Sequence, residues 1–307
     1  DSPQNPVVLN NLGVALVSLG EHEEGTAVLE EALALHPSRT DVMVNLGLQY
    51  QDRGDLDLAK SLYSRAERLE RNDGLPVRRA MMMPTIIASE QEIIRERKRL
   101  TREVEMLIAR DPPLAIPDPI RGVERVHFFL VYRGGNHRKL QQKIARMYSI
   151  ATPELLSVSP SLKGGKKMAL QPGRAKPTST PTSDARTARS AELMPMRVGF
   201  ASNFFGDQEP HGMLLSGIIE HLPRGHFNVI VCPIDSPGKR LGPSLADAAD
   251  EVVQLPQNLW EARRILGDLK LDVLVYADMN SEPVSHFLGY GRLARVQAVF
   301  WGNPITT

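Results

Sequence analysis

The sequence is poor in cysteine: the single example among its 307 residues is Cys232, inside the apolar run 229–232. One cysteine cannot form a disulfide within the chain or a CxxC metal-binding pair, so a reducing compartment fits best. We expect Cys232 to be a small buried residue of a strand. No eighteen uninterrupted apolar residues occur, so the pattern of a membrane-spanning helix is missing.

An excess of charge of one sign is also missing. The chain has 37 basic and 36 acidic side chains and a net charge of +1. This balance provides no general electrostatic field for nucleic acid or an anionic membrane, so we expect neither as a partner.

Several nucleotide and metal motifs are absent from the sequence. GxGxxG is not found, which disfavours a dehydrogenase, and neither GxxxxGK[ST] nor HExxH occurs. No CxxC or paired-carboxylate signature suggests a metal, so we expect chemistry that needs none.

The sequence does contain a repeat of 34 residues in its first seventy positions. Five matches share this offset: Leu12-Gly13 with Leu46-Gly47, Gly20 with Gly54, Gly25 with Ala59, Ala32 with Ala66, and Leu35 with Leu69. This period, with glycine in the turns, is typical of tetratricopeptide repeats. The sequence therefore predicts two repeats in residues 1–72. Since repeats bury their apolar faces only against neighbours, we expect more upstream.

A helical connecting region is predicted for 73–157. Ser89 and Glu92 have the spacing of a capping box, and a helix from there ends near Arg110, before Asp111-Pro112. Its basic residues indicate a solvated face. A second helix is predicted for 137–148, preceded at 126–132 by a strand or a buried helical turn.

The segment 158–194 is rich in Ser, Pro, Thr, Gly, Lys and Arg and nearly lacks large apolar residues. This composition predicts a disordered basic linker. A solvated spacer is favoured over a site for acidic partners.

The last part of the chain, 195–307, alternates strands with helices. Strands are predicted at 196–202, 226–234, 252–255, 271–277 and 296–301. They are nearly continuous apolar runs, as expected when helices cover both faces of a parallel sheet. Short connections and right-handed crossovers then predict a doubly wound, Rossmann-like fold.

Ligands of such sheets bind beyond the carboxyl ends of the strands. Four loops follow strands there: 203–211, 235–240, 278–282 and 302–307. His211 lies at the start of a helix, where the helix dipole favours a neutral imidazole that can exchange a proton. The alternative is that His211 is an incidental loop residue. Asp278 is either a residue related to helix N-capping or an acid–base group. The other candidate cleft residues are Asn203, Asp207, Gly302, Asn303 and Pro304.

Taken together, these segments resemble glycosyltransferase family 41, the O-linked N-acetylglucosamine transferase and SPINDLY-like group. The likeness lies in the repeats, in 197–223 (RVGFASNFFGDQEPHGMLLSGIIEHLP) and in 271–300 (LDVLVYADMNSEPVSHFLGYGRLARVQAVF). Within the latter, RLARVQ resembles the family's RLAPxQ stretch, and 301–307 (WGNPITT) resembles its GxPxT(S/T)G loop. YRGGNHRKLQQKIARMY at 132–148 resembles the family's connecting region.

The resemblance implies a GT-B fold of two Rossmann-like halves, of which this chain holds the first. It implies metal-independent, inverting transfer of a sugar to Ser or Thr of proteins. The donor would be a nucleotide sugar, usually UDP-N-acetylglucosamine, without a cofactor. It implies that repeats recruit protein or peptide acceptors and that the protein is cytoplasmic or nuclear. A histidine in the first loop lies close to the family's reaction centre, and this role falls to His211. The family pattern has its histidine nearer FFGD, where this sequence has Gln208.

Two other functions stay open from the sequence. A non-catalytic scaffold would use the repeats to bind partner peptides, with the Rossmann-like half as a relic. A sugar-nucleotide enzyme that does not modify proteins, such as an epimerase, is disfavoured by the repeats and by the missing glycine motif.

Overall fold

The computed structural model describes residues 5–123, 130, 133–163, 195–279 and 281–300. These residues form two compact units, and the chain passes from one to the other between Glu154 and Leu155. The first unit is helical and the second is α/β.

The helical unit consists of α-helices. Their bounds are α1 Pro6–Ser18, α2 His22–Leu35, α3 Thr40–Arg53, α4 Leu56–Leu69, α5 Gly74–Met81, α6 Glu90–Ile108, α7 Pro119–Val123 and α8 Arg138–Ala151. The pairs α1–α2 and α3–α4 are the two predicted repeats. Gly20 and Gly54 end the first helix of each pair with φ of 91° and 88°, a left-handed conformation that glycine adopts without strain. The tetratricopeptide assignment is confirmed.

Small residues let the two helices of a repeat approach closely. A Cβ atom on Gly47 would lie 2.5 Å from Cε1 of Tyr63, and one on Gly13 would lie 2.7 Å from Cγ of Leu29. Tyr63 and Leu29 are both 0% exposed, so neither the Tyr63 ring nor the Leu29 side chain has open space to move into. These glycines therefore fix the distance between the paired helices.

The regular helix spacing extends one helix beyond the predicted repeats. α1, α3 and α5 begin at Pro6, Thr40 and Gly74, each 34 residues after the last. Leu75 of α5 packs with Tyr63 and Ala66 of α4 in one buried cluster. The helix α5 thus has the position of the first helix of a third repeat.

The long helix α6 begins at the predicted Ser89 cap. The hydroxyl of Ser89 accepts a hydrogen bond from the Glu92 amide at 3.2 Å, and the Glu92 carboxylate accepts one from the Ala88 amide at 3.0 Å. Leu100 and Val104 are fully buried in the helical unit. Because both amides at the helix start have acceptors, the position of α6 follows from local sequence.

The α/β unit has five parallel strands. Its elements are α9 Pro160–Lys163, β1 Met196–Ser202, α10 Pro210–His221, β2 Phe227–Pro233, α11 Pro243–Ala248, β3 Glu251–Val252, α12 Leu259–Asp268, β4 Val273–Tyr276, α13 Pro283–Leu288 and β5 Val296–Val299. The strand order is β3-β2-β1-β4-β5. Val198 of β1 pairs with Val229 of β2 on one side and Val273 of β4 on the other. The predicted fold class, a tetratricopeptide solenoid plus a Rossmann-like parallel sheet, is confirmed.

The sheet buries apolar side chains under α10 and α11. Val198, Phe200, Val229 and Val231 from the strands form one buried cluster with Leu215 and Ile219 of α10 and Leu245 of α11. Cys232 is 0% exposed in β2, as its apolar neighbours predict. Burial raises the pKa of its thiol to about 12, so the sulfur stays protonated.

The structure differs from the sequence analysis at the start of the predicted linker 158–194. Val158 forms a parallel bridge with Arg292 before β5, and the Ser159 amide donates to the Arg292 carbonyl at 2.9 Å. The guanidinium of Arg263 in α12 donates to the carbonyl of Leu155 at 2.7 Å. Residues 155–163 therefore belong to the α/β unit. Composition does not reveal this, because backbone hydrogen bonds hold the segment.

Other predictions fall partly or wholly outside the described residues. They concern the linker residues 164–194, most of 126–132, and 301–307. Among the helices that the structure describes, none has the length and apolar character that crossing a membrane requires.

The close contact at Gly47 leads to a prediction about stability. We expect Gly47→Ala to lower the free energy of unfolding by about 1–3 kcal/mol, because the added methyl group overlaps the buried Tyr63 ring. The matched control is Gly217→Ala in α10, where a Cβ meets nothing within 4 Å. That change should instead raise stability by about 0.4–1 kcal/mol. Urea unfolding followed by circular dichroism measures both, and a stabilised Gly47→Ala protein would contradict the packing argument.

Candidate functional site

The strand order locates the point where the direction of winding reverses. After β1 the chain proceeds to β2 and β3 on one side, and it then crosses to β4 on the other side of β1. In open parallel sheets of this kind, ligands bind outside the carboxyl ends of the two strands that flank this point. Asn203 directly follows β1, and Asp278 follows β4 after one residue. Both predicted residues thus lie where the topology favours a site.

Asn203 and Asp278 contact each other directly. The Oδ2 atom of Asp278 accepts hydrogen bonds from the Asn203 backbone amide at 3.0 Å and from its Nδ2 atom at 2.9 Å. Asp278 is 0% exposed and Asn203 is 5% exposed. This pair connects the loop after β1 to the loop after β4, and charge-assisted bonds to a buried carboxylate are among the strong ones.

The loops after β2 and β3 join the same hydrogen-bond chain. The Ser236 hydroxyl donates to Oδ1 of Asn203 at 2.9 Å, and Gln257 Nε2 donates to the Ser236 hydroxyl at 3.2 Å. Gln257 Nε2 also donates to the Asp235 carbonyl at 2.6 Å. The Asn203 amide is therefore held at both ends, by Asp278 and by Ser236. Four strand-end loops form one polar surface as a result.

The carboxyl group of Asp278 is electrostatically unusual. Burial raises its pKa above the ordinary value of an aspartate, although the Asn203 hydrogen bonds and the charge of His211 lower it in part. Its Oδ1 atom is buried and has no hydrogen-bond partner among the residues that the structure describes.

His211 lies at the start of the helix that follows the loop after β1. It is the second residue of α10, half-buried, and its ring centroid is 5.8 Å from that of Phe204 at a tilt of 34°. Its ring nitrogens form no hydrogen bond to the residues that the structure describes. Its effect on the pKa of Asp278 shows that the two groups are within electrostatic range.

A cation contacts the aromatic ring that neighbours His211. The Lys239 ammonium lies 4.2 Å from the centroid of the Phe204 ring and 2.6 Å from a Glu209 carboxylate oxygen. The loop 235–240 is thereby held against the loop after β1 by a cation–π contact and an ion pair. Both partners of the ion pair are about one-third exposed, so the contact is reversible in water.

The remaining predicted site residues have different positions. Asp207 packs against the start of α11, where a Cβ on Gly242 would lie 2.0 Å from its Oδ1 atom. Gly302, Asn303 and Pro304 lie outside the described residues. No group of three or more His, Cys, Asp or Glu side chains suited to a metal ion occurs within the described ranges.

Sequence reasoning missed Ser236, Gln257, Phe204 and Lys239 as individual residues. Ser236 and Lys239 fall within the selected loop 235–240, so their positions after β2 were the available signal. Gln257 follows the two-residue strand β3 by five positions, and no local pattern marks it.

The described residues of the helical unit line grooves of their own, two of which are related by the repeat. One has a volume of about 580 Å³ and lies between α2 and α3. The other, of about 610 Å³, lies among α4, α5 and α6. Four lining residues of the first have equivalents 34 positions later in the second: Glu23 and Asp57, Thr26 and Lys60, Ala27 and Ser61, Glu30 and Ser64. The grooves are thus repeat-related surfaces whose charge differs from one to the next.

The buried carboxyl group of Asp278 leads to a prediction about pH. Since its pKa is raised in the folded state, the native protein binds more protons than the unfolded chain above the ordinary aspartate value of about 3.9. The contribution of Asp278 to the free energy of unfolding therefore falls as pH rises from the ordinary to the raised pKa of its carboxyl group. We expect Asp278→Asn to gain stability relative to the unmodified protein as pH rises from about 4. Urea unfolding at several pH values measures this difference, and a difference independent of pH would contradict it.

Comparison with known proteins supports both parts of this architecture. A family model described as "Tetratricopeptide repeat" matches residues 7–39. The structure is similar to a solved mutant of an O-GlcNAc transferase from Thermobaculum terrenum, with a TM-score of 0.55 and 16% sequence identity. The match covers 98% of this chain and 51% of that chain, so this chain spans about half the length of the structure it matches. At this identity the likeness shows the fold alone: tetratricopeptide helices followed by a parallel α/β sheet.

Proposed function

We propose that this chain is part of a protein O-glycosyltransferase. In this proposal the carboxyl edge of its sheet forms one wall of a nucleotide-sugar cleft, and its repeats bind polypeptide acceptors. The observation that carries the proposal is the Asn203–Asp278 pair at the reversal of the strand order, with His211 at the start of the helix that follows β1. The fold likeness to an O-GlcNAc transferase, which extends over 98% of the chain, supports it.

The proposed substrates are a nucleotide sugar, with UDP-N-acetylglucosamine as the first candidate, and Ser or Thr side chains of proteins. The two grooves of the helical unit support a polypeptide acceptor, because stacked helix pairs offer extended binding surfaces. We propose that the reaction needs no metal or cofactor and takes place in the cytoplasm or nucleus.

The chemistry requires a route for one proton. In an inverting transfer the acceptor hydroxyl oxygen forms a bond to the anomeric carbon as the bond to the nucleoside diphosphate breaks. The hydroxyl proton must leave during this step. The His211 imidazole, whose nitrogens are not engaged by other described residues, is our candidate to receive it directly or through water.

Asp278 has a supporting role in this proposal. Its carboxyl group is fully buried and holds Asn203, so it orients the loop after β1 rather than meeting the substrate. The Ser236 hydroxyl fixes the other end of the Asn203 side chain. This arrangement keeps the residues that precede α10, and with them His211, at a constant distance from the sheet.

The leaving diphosphate needs stabilisation by positive or hydrogen-bonding groups. The compared transferase is about twice as long as this chain, and we propose that such groups lie in a second half. We therefore expect the isolated 307 residues not to transfer radiolabelled N-acetylglucosamine to peptides. Turnover by this chain alone would contradict the assignment of the donor site to another half.

The role of His211 can be tested in the full-length protein. We expect His211→Ala to lower kcat for peptide glycosylation by at least about tenfold, because the hydroxyl proton loses its acceptor. The matched control is His221→Ala at the other end of α10, where the ring lies 2.7 Å from the Gly217 carbonyl. That variant should retain its activity. Equal activities of the two variants would show that His211 is an incidental loop histidine.

A further inference from the structure

Positive charge is scarce in the loops that follow the strands. Lys239 and Arg240 are the only lysine and arginine in these loops, whereas carboxylates are more numerous. The loops in question are 203–211, 235–240, 253–258, 278–282 and 302–307. An anionic group that finds a positively charged partner in these loops must therefore contact Lys239 or Arg240.

Lys239 is the cation that contacts the surroundings of His211 through its charged group. Its ammonium lies 4.2 Å from the centroid of the Phe204 ring, and that centroid lies 5.8 Å from the centroid of the His211 ring. Arg240 approaches the same loop through its backbone carbonyl, which lies 3.5 Å from where a Cβ on Gly206 would be. The position of the Lys239 charge relative to His211 is thus set by the Phe204 ring between them.

The base of the Lys239 loop is anchored independently of the ammonium. The Ser236 hydroxyl donates to Oδ1 of Asn203 at 2.9 Å, and the Lys239 backbone amide donates to the Ser236 carbonyl at 3.0 Å. Gly238 turns the chain between these residues with φ of 74°, which glycine adopts without strain. The ammonium can therefore change its partner while the backbone of the loop stays attached.

The present partner of the Lys239 ammonium is the Glu209 carboxylate, at 2.6 Å. The two side chains are 35% and 30% exposed, so water reaches both and the pair contributes little to stability. Glu209 directly precedes α10, but its side chain forms no capping hydrogen bond to that helix. Another anion can thus replace the Glu209 carboxylate on Lys239 without removing a helix cap.

We propose that Lys239 is a substrate-binding residue whose ammonium exchanges the Glu209 carboxylate for an oxyanion of a substrate. This oxyanion is a phosphate of the nucleotide sugar or a carboxylate of the acceptor peptide, so the inference rests on the proposed function. Without substrate, Glu209 occupies Lys239 and keeps it beside the loop of His211. Glu209 also repels the incoming anion, and it therefore lowers the affinity.

A purely structural ion pair would have different consequences. If Lys239 and Glu209 only held their two loops together, removing either charge would loosen the same contact and change binding in the same direction. In the exchange that we propose, the two changes have opposite effects. Lys239→Gln removes the cation that binds the substrate, whereas Glu209→Gln releases it from its internal competitor.

The first experiment measures anion binding without turnover. Inorganic pyrophosphate is titrated at low ionic strength into the full-length protein with ¹³C-labelled lysine, and the Lys239 signal is identified as the one that Lys239→Gln removes. We expect a saturable shift of this signal. The dissociation constant should be at least about threefold lower in Glu209→Gln, the size expected for an exposed ion pair. A shift that does not saturate, or a dissociation constant that is unchanged or higher in Glu209→Gln, would overturn the proposal.

The second experiment identifies the source of the oxyanion from transfer kinetics of Lys239→Gln. The nucleotide sugar is varied first, and then two acceptor peptides that carry either Asp or Asn beside the modified Ser. We expect KM to rise by at least about fivefold, because a charge-assisted contact is lost. The rise affects the nucleotide sugar if a phosphate binds Lys239, or the Asp peptide and not the Asn peptide if a carboxylate does.

The matched control for the kinetics is Arg264→Gln. Arg264 is a cation of α12 whose side chain is 65% exposed, and it pairs with Asp268 at 3.4 Å. This variant should leave every KM unchanged. No rise of any KM in Lys239→Gln, or the same rise in Arg264→Gln, would contradict a binding role of Lys239.

The two experiments separate this inference from the proposed function. An active protein in which Lys239→Gln changes no KM contradicts the inference alone. A full-length protein without transferase activity contradicts the proposed function, and the pyrophosphate titration then decides whether Lys239 exchanges Glu209 for an oxyanion.

Discussion

The hydrogen bonds from Asn203 to the buried carboxyl group of Asp278 join β1 to β4 where the strand order reverses. This contact is enclosed in the sheet edge, so water does not compete for it, and losing one partner would leave a buried polar group unsatisfied. The polar surface formed by Ser236 and Gln257 depends on it, because Ser236 bonds to the same Asn203 amide. The position of His211 also depends on it, since the loop after β1 leads directly into α10.

Burial gives Asp278 a structural role and also changes the pKa of its carboxyl group. The environment that strengthens its hydrogen bonds to Asn203 also raises the pKa of its carboxyl group. The half-buried His211 differs in that its ring nitrogens form no hydrogen bond to the described residues. Two titratable residues near one strand edge thus have separate tasks, one orienting the loop and one meeting the substrate in the function we propose.

The helical unit is organised by repetition rather than by one central contact. Gly13 and Gly47 set the distance within each repeat, and Leu29 with Ala32 covers the first helix of the next. Each repeat therefore depends on its neighbour for burial. The segment 155–163 shows a different principle, because Arg263 and Arg292 hold it to the α/β unit through backbone carbonyls. The division between the units consequently lies before Leu155 rather than within the basic segment.

The repeat, the strands, the Ser89 cap and the strand-end loops could be read from the sequence, because each is a local pattern of period, apolar run or spacing. Asn203 and Asp278 were found by their position after strands, but their contact joins residues 75 positions apart. Tertiary structure alone decided three features: the place of Ser236 and Gln257 beside this pair, the burial of Asp278, and the attachment of residues 155–163. Distances and solvent exclusion of this kind arise only when separate elements pack, and no local pattern encodes them.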